Sequence, residues 1–194
     1  TGRSLLPLLA GARQPWRDCA FTGMERHVMA RPNGETYPMR AIRTREFLYI
    51  RNFAPDRYPL GDPYAVTKDT APTQHDLEFE TRVAFPDMDA GPTKAWLVAH
   101  RQDPQWQWHY QYAFGKRPLE ELYDVRRDPD QTQNLAEDPA YAAHKVELSQ
   151  RLLAHLKEVG DPRVTGDGQT FERSPFTDGE GPNRPAQRKK PNEK

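Results

Sequence analysis

The chain has 194 residues, 36% of them hydrophobic, with 19 prolines and 28 Lys+Arg balanced by 28 Asp+Glu. That length holds one medium domain plus irregular segments, and an apolar share below the roughly 45–50% of globular chains, a figure that counts glycine, implies a small core with long connections. Zero net charge excludes a global field that would attract nucleic acid or an anionic membrane. The single cysteine, Cys19, excludes an internal disulfide or a cysteine-based zinc site, and no apolar run reaches the roughly 18 residues of a membrane span.

Residues 1–15 carry Leu5, Leu6, Leu8 and Leu9 around Pro7, too interrupted for a stable helix and too apolar for a free tail. With neither an initiator Met nor a signal-peptide layout, this opening reads as interior sequence of a longer protein. Trp16–Phe21 can form a first strand. It leads into Met24-Glu25-Arg26-His27-Val28-Met29-Ala30-Arg31, the most chemically dense stretch, followed by polar and turn residues to Thr36.

Tyr37–Thr44 and Phe47–Phe53 read as two strands of a hairpin separated by Arg45-Glu46. Leu48 and Ile50 fall on one face and Phe47, Tyr49 and Phe53 on the other, so the sheet needs a cover on each side. The chain offers one good helix for that purpose. From Ala54 to Pro92, six prolines imply a long irregular connection of the kind kept for function or for wrapping another body. Thr93–Arg101 is expected to be a short helix entered through Gly91-Pro92. Trp106, Trp108, Tyr110, Tyr112 and Phe114 alternate as in a strand.

Glu120–Ala136 reads as a short strand around Leu122–Val125, an Asp-Pro turn and an apolar anchor at Leu135. The clearest helix follows, Pro139–Val159, with Asp138 as its cap, Gly160 and Pro162 as its stop, and Tyr141, Leu148, Leu152, Leu156 and Val159 along one face. Beyond Thr165 the chain is polar and proline-broken, and residues 165–194 are expected to be disordered.

Several of these pieces, in this order, resemble the sulfatase family. The carriers are Gly2-Arg3-Ser4-Leu5-Leu6-Pro7-Leu8-Leu9, Tyr37–Thr44 with Phe47–Phe53, Asp56–Pro63, Asp87–Leu97, and the strand, Asp-Pro turn and Asn134-Leu135-Ala136 of the 120–136 stretch. The paired strands resemble those of the sulfamidase branch, and coverage runs from about Gly2 to Val164. The resemblance implies an α+β fold: a small antiparallel sheet of about four strands packed against a C-terminal helix, with long irregular loops. Residues 1–15 would close the catalytic domain, and 16–164 would be the sulfatase C-terminal subdomain. The implied activity is hydrolysis of sulfate esters or sulfamates on a saccharide, with this part completing the fold and recognising substrate.

Sulfatases make their nucleophile, formylglycine, from Cys or Ser within Cys/Ser-x-Pro/Ala-x-Arg, and bind calcium through N-terminal carboxylates. Cys19-Ala20-Phe21-Thr22-Gly23 lacks that motif, so no catalytic or metal residue is assigned here. Calcium and formylglycine are assigned to an N-terminal catalytic domain, which with a sulfated saccharide is the expected partner. Nucleic acid and a membrane span are not expected partners. Family members are commonly exported, periplasmic or lysosomal, without fixing the compartment. Two other readings stand beside this one: a stand-alone non-catalytic binding module, and the C-terminal part of a related phosphoesterase with a Thr or Ser nucleophile and two metal ions.

Within the chain, Glu25, Arg26, His27 and Arg31 form the candidate substrate-binding set, because guanidinium and imidazole groups suit sulfated or carboxylated sugars. A solvated loop with surface ion pairs is the plainer alternative. Arg40, Arg43 and Arg51 are expected to pair with carboxylates, and Asp87 and Asp89 to cap or turn. His100, His109, His144 and His155 lack the i, i+4 spacing of a zinc motif and are expected to be structural or solvated. Trp106 and Trp108 could stack on a sugar, although core or interface roles are commoner for alternating aromatics.

Overall fold

A computed structural model describes residues 4–13 and 17–173. The elements in chain order are α1 (Leu6–Leu9), β1 (Cys19–Met24), β2 (Met39–Thr44), β3 (Phe47–Asn52), α2 (Gln74–Phe79), α3 (Pro92–Ala99), α4 (Gln107–Phe114), β4 (Glu120–Asp124), α5 (Ala142–Glu158), α6 (Pro162–Thr165) and α7 (Thr170–Arg173). Among the described residues no helix is long and apolar enough to cross a membrane.

The four strands form one antiparallel sheet in the order β1-β2-β3-β4, with Phe21 opposite Ile42, Ile42 opposite Tyr49, and Tyr49 opposite Leu122. Arg45-Glu46 makes the β2–β3 turn without Asn-Gly because Thr44 Oγ1 accepts from the Glu46 and Phe47 N–H groups at 3.3 and 3.0 Å. Ile42, Tyr49 and Leu122 share a face with Phe21 and pack against Leu148, Leu152 and Leu156 of α5, closing one core. Asp138 caps the entry to that helix by accepting from the Ala140 N–H at 2.9 Å, and Gly160 ends it at φ 70°. The expected four-stranded sheet and its helical cover are both present. Val159 is the exception on the expected face, standing 42% exposed.

The other sheet face is not uniform. Ala20, Thr22 and Met24 are exposed, Leu48 and Ile50 are half-buried, and Asn52, Glu121 and Tyr123 are buried in a polar lattice. Asn52 Nδ2 donates to Glu121 Oε1 and the Pro118 carbonyl, both at 2.7 Å, and Tyr123 donates to Glu121 Oε2 at 2.6 Å.

Residues 53–119 leave the sheet between β3 and β4 and build a second core from Val66, Leu77, Ala84, Phe85, Ala95, Val98 and Phe114. The aromatic stretch expected as a strand lies here as helix α4. Residues 106, 108, 110, 112 and 114 satisfy period 2, but 106, 110 and 114 also satisfy i, i+4, and Phe114 with Tyr110 is drawn into this core. Trp108 and Tyr112 remain 53% and 39% exposed on the opposite side.

Two other expectations need correction. The Leu5–Leu9 stretch forms one helical turn, with Pro7 tolerated in its first turn, and Leu5, Leu6 and Leu9 are exposed. The stretch from Thr165 to Arg173 is folded, because charged and aromatic side chains of α7 dock on the sheet end and compensate for its low apolar content. The rest of the expected tail, 174–194, and Trp16 of the expected first strand lie outside the described residues.

Candidate functional site

The connection from β1 to β2, residues 25–38, leaves the sheet at the Met24–Met39 pair and returns with the Tyr37 N–H donating to the Glu25 carbonyl at 2.6 Å. Its apex is pinned from the side, the Asp62 N–H donating to the Ala30 carbonyl at 2.9 Å. Gly61 permits that approach. Its φ is 94°, and a Cβ there would lie 2.8 Å from the Ala30 Cβ and 2.7 Å from Pro86.

The four candidate residues sit on this loop in different surroundings. Glu25 accepts from Arg40 Nη2 at 2.6 Å and from Arg163 Nη2 at 2.5 Å. Arg26 Nη2 donates to the Phe171 carbonyl at 2.8 Å. The His27 side chain is 73% exposed, with Nδ1 3.5 Å from Asp87 Oδ1. Arg31 is buried and donates from Nε to the Tyr58 carbonyl (2.8 Å) and from Nη2 to the Pro59 carbonyl (2.6 Å), with Asp87 Oδ2 at 3.4 Å and the Tyr37 ring centroid 5.4 Å away. Burial pulls the Arg31 pKa down against the opposing pull of Asp87, and pushes the Tyr37 phenol up to about 12, with Glu121 adding to that rise.

Arg31 Nη1 and Asp87 Oδ1 are buried without a hydrogen-bond partner among the described residues. A buried polar atom left unpaired costs about 1–3 kcal/mol, and of these two Asp87 Oδ1 faces His27 Nδ1 at 3.5 Å.

Around Glu25 the structure assembles residues that the sequence showed no sign of joining. Arg40 donates from Nε to Asp161 Oδ2 at 2.6 Å. Arg163 Nη2 also reaches Thr36 Oγ1 at 2.8 Å and Glu172 Oε1 at 3.1 Å, and Arg57 Nη1 reaches Glu172 at 2.8 Å. Burial lowers the affinity of both Arg40 and Arg163 for their protons, but the hydrogen bonds that Arg40 donates to Asp161 and Glu25, and Arg163 to Glu25 and Glu172, outweigh it and raise both. Arg40 and Asp161 lie 121 residues apart and Arg163 and Glu25 138, which leaves no local spacing to read. The one available hint was Asp161-Pro162 after Gly160, a helix stop followed by a cap.

Of the other arginines expected to meet carboxylates, Arg51 lies 3.8 Å from Glu120, while Arg43 donates to the Thr44 carbonyl and is exposed. All four of these histidines meet aromatic rings: His155 stacks on Phe21 at 3.7 Å, His100 on Trp96 at 4.3 Å and His144 on Phe47 at 4.5 Å, while His109 lies tilted against Trp108 at 3.7 Å. Asp87 faces Arg31 and His27 in place of an expected turn-forming role.

A cavity of about 600 Å³ opens at the opposite end of the sheet, by the β2–β3 turn, lined by Glu46, Phe47, Arg126 and Tyr141. Its cations are already paired, Arg126 with Glu46 at 2.6 Å and Arg127 with Asp124 at 3.6 Å, so it makes the weaker candidate. Cys19 is half-buried in β1 with its thiol pKa raised by burial and by Asp18, and no grouping of three or more His, Cys, Asp or Glu among the described residues could hold a metal.

No family model matches the chain. Human N-sulphoglucosamine sulphohydrolase is 32% identical over 174 residues, 89% of this chain and 29% of that protein. An ulvan-active sulfatase of Formosa agariphila is 30% identical over 130 residues, 66% of this chain and 18% of its own length. The chain thus spans less than a third of the length of these curated relatives. Among solved structures, one described as in complex with its substrate D-glucosamine-2-N,6-O-disulfate superposes with a TM-score of 0.45 at 17% identity, over 86% of this chain and 21% of its own.

Proposed function

The chain belongs to the sulfatase family, as a C-terminal region of the N-sulfoglucosamine sulfohydrolase-like kind, and from that premise we propose that it helps form the saccharide pocket of an enzyme hydrolysing sulfate esters or sulfamates. The nucleophile and calcium belong, in this reading, to a catalytic domain outside this chain. The residues contributed here are those of the Glu25–Arg31 loop. Arg26 and His27 face the sugar and its oxyanions, while Glu25 and Arg31 hold the loop, with Arg31 Nη1 in reserve for an acceptor on the substrate.

The observation that supports this reading is an exposed imidazole 3.5 Å from Asp87 Oδ1, on the same loop as a buried Arg31 whose Nη1 has no hydrogen-bond partner among the described residues. Most buried polar atoms of folded proteins are paired, so an orphaned guanidinium nitrogen draws attention to this loop. In the intact enzyme, His27→Ala is expected to raise KM for a sulfated saccharide about tenfold, the value of one charge-assisted hydrogen bond, with little change for a small aryl sulfate. Equal effects on the two substrates would remove the recognition role.

A further inference from the structure

Beyond helix α6 the chain turns back at Gly168 and lays Phe171 and Glu172 across the base of the Glu25–Thr36 loop. Glu172 Oε2 accepts from the Thr36 N–H at 3.0 Å and Oε1 accepts from the Thr36 hydroxyl at 2.8 Å, so one carboxylate closes the loop's C-terminal end. The Phe171 carbonyl accepts from Arg26 near the other end. The Phe171 ring lies 5.9 Å below the guanidinium carbons of both Arg40 and Arg163, the two arginines that hold Glu25. Arg57 and Arg163 complete the Glu172 partners, and Arg163 also donates to the Gly168 carbonyl. Thr36 is fully buried beneath this contact.

Each end of the loop is therefore tied to a segment more than a hundred residues away in sequence, at residues whose neighbours in the fold are the candidate substrate contacts. We propose that Gly168–Arg173 is a strap that positions the recognition loop, with Glu172 as its positioning residue. Neither hydrophobic core includes a residue of the strap, so its release is expected to free the loop without unfolding the sheet. Local openings of this kind are set by the few contacts that hold a segment, and here those contacts are polar and concentrated in two side chains.

The inference rests on the recognition reading above, and its test separates the two. In the intact enzyme, Glu172→Gln and Phe171→Ala are compared with wild type and His27→Ala by amide hydrogen exchange and by steady-state kinetics on a saccharide and an aryl sulfate. Glu172→Gln should speed exchange at the Thr36 amide and its loop neighbours by about tenfold or more, as expected for losing a bond to a charged acceptor, with the β2–β3 amides unchanged. It should also raise KM for the saccharide while leaving kcat for the aryl sulfate alone.

Unchanged loop exchange, or exchange rising equally across the sheet, overturns the strap. Faster loop exchange without a change in saccharide KM, while His27→Ala does change it, overturns the positioning role and leaves recognition standing. If His27→Ala and the strap variants all leave KM unmoved, the recognition reading fails and takes the positioning role with it.

Discussion

The sheet half and the 53–119 half of this molecule differ in what their cations chiefly hold, with Arg57, which reaches back from the second half to Glu172, as the exception. Beside the sheet, where ladders and a long helix have already paired the backbone, arginines meet carboxylates: Arg40 with Asp161 and Glu25, Arg163 with Glu25 and Glu172. Across residues 53–119 the backbone is largely irregular, and cations cap its carbonyls instead. Lys94, 1% exposed, donates to the carbonyls of Thr81 and Met88 at 2.9 Å and of Phe85 at 3.3 Å. Arg101 holds the carbonyls of Thr67, Lys68, Thr70 and Val98, and Arg31 those of Tyr58 and Pro59. A proline-rich segment with no ladder leaves acceptors that still need donors, and a buried cation supplies several from one side chain.

The largest expected effects test that contrast directly. Leu152→Ala, at a fully buried position under the sheet, should lower global stability by about 2–5 kcal/mol in urea unfolding. Lys94→Met strands three carbonyls and should cost about 3 kcal/mol, with hydrogen-exchange protection lost first in α2–α4 and retained in the strands. A near-neutral Lys94→Met would show that apolar packing alone holds this half.

An acid titration sharpens the comparison, since the sheet-half corner gathers Glu25, Asp161 and Glu172 around its arginines. Burial pushes the Glu172 carboxyl up, but its bonds to Arg57, Thr36 and Arg163 outweigh burial and bring it from 4.5 to about 2. A depressed folded-state pKa contributes stability that is complete above the unfolded value and lost as pH falls through the folded one. The stability difference between wild type and Glu172→Gln should therefore be constant above pH 4.5, on the order of 2–3 kcal/mol, and shrink toward zero near pH 2. A difference independent of pH would mean that the charge contributes nothing. The smallest effect is expected at the exposed Arg126–Glu46 pair, where a double-mutant cycle should return less than about 0.5 kcal/mol despite its 2.6 Å contact.

Particular residues show how far the sequence could be read. Leu122, Leu135 and Asn134 announced a strand followed by an anchor, and the structure explains the spacing: Asn134 Oδ1 accepts from the Leu122 and Ala136 N–H groups at 2.9 and 3.0 Å, while the Leu135 N–H donates to the Leu122 carbonyl at 2.7 Å. This covers the outer edge of β4, which would otherwise present free donors. The α4 segment was misread because period 2 and period 4 coincide on its aromatic positions. The candidate loop was visible as a cluster of charge, but the partition of that cluster into an exposed His27 and a buried Arg31 was not.

By itself the sequence carried the family resemblance in the order of its motifs, and it determined the paired strands and the helix over them, because alternation, caps and apolar spacing act over a few residues. Tertiary structure alone decided that Glu25 is held by Arg40 and Arg163, that Lys94 is buried among carbonyls, and that Glu172 closes a loop lying 136 residues before it. Those contacts join side chains remote in the chain, and their strength comes from a burial and mutual geometry that exist only once the backbone has folded.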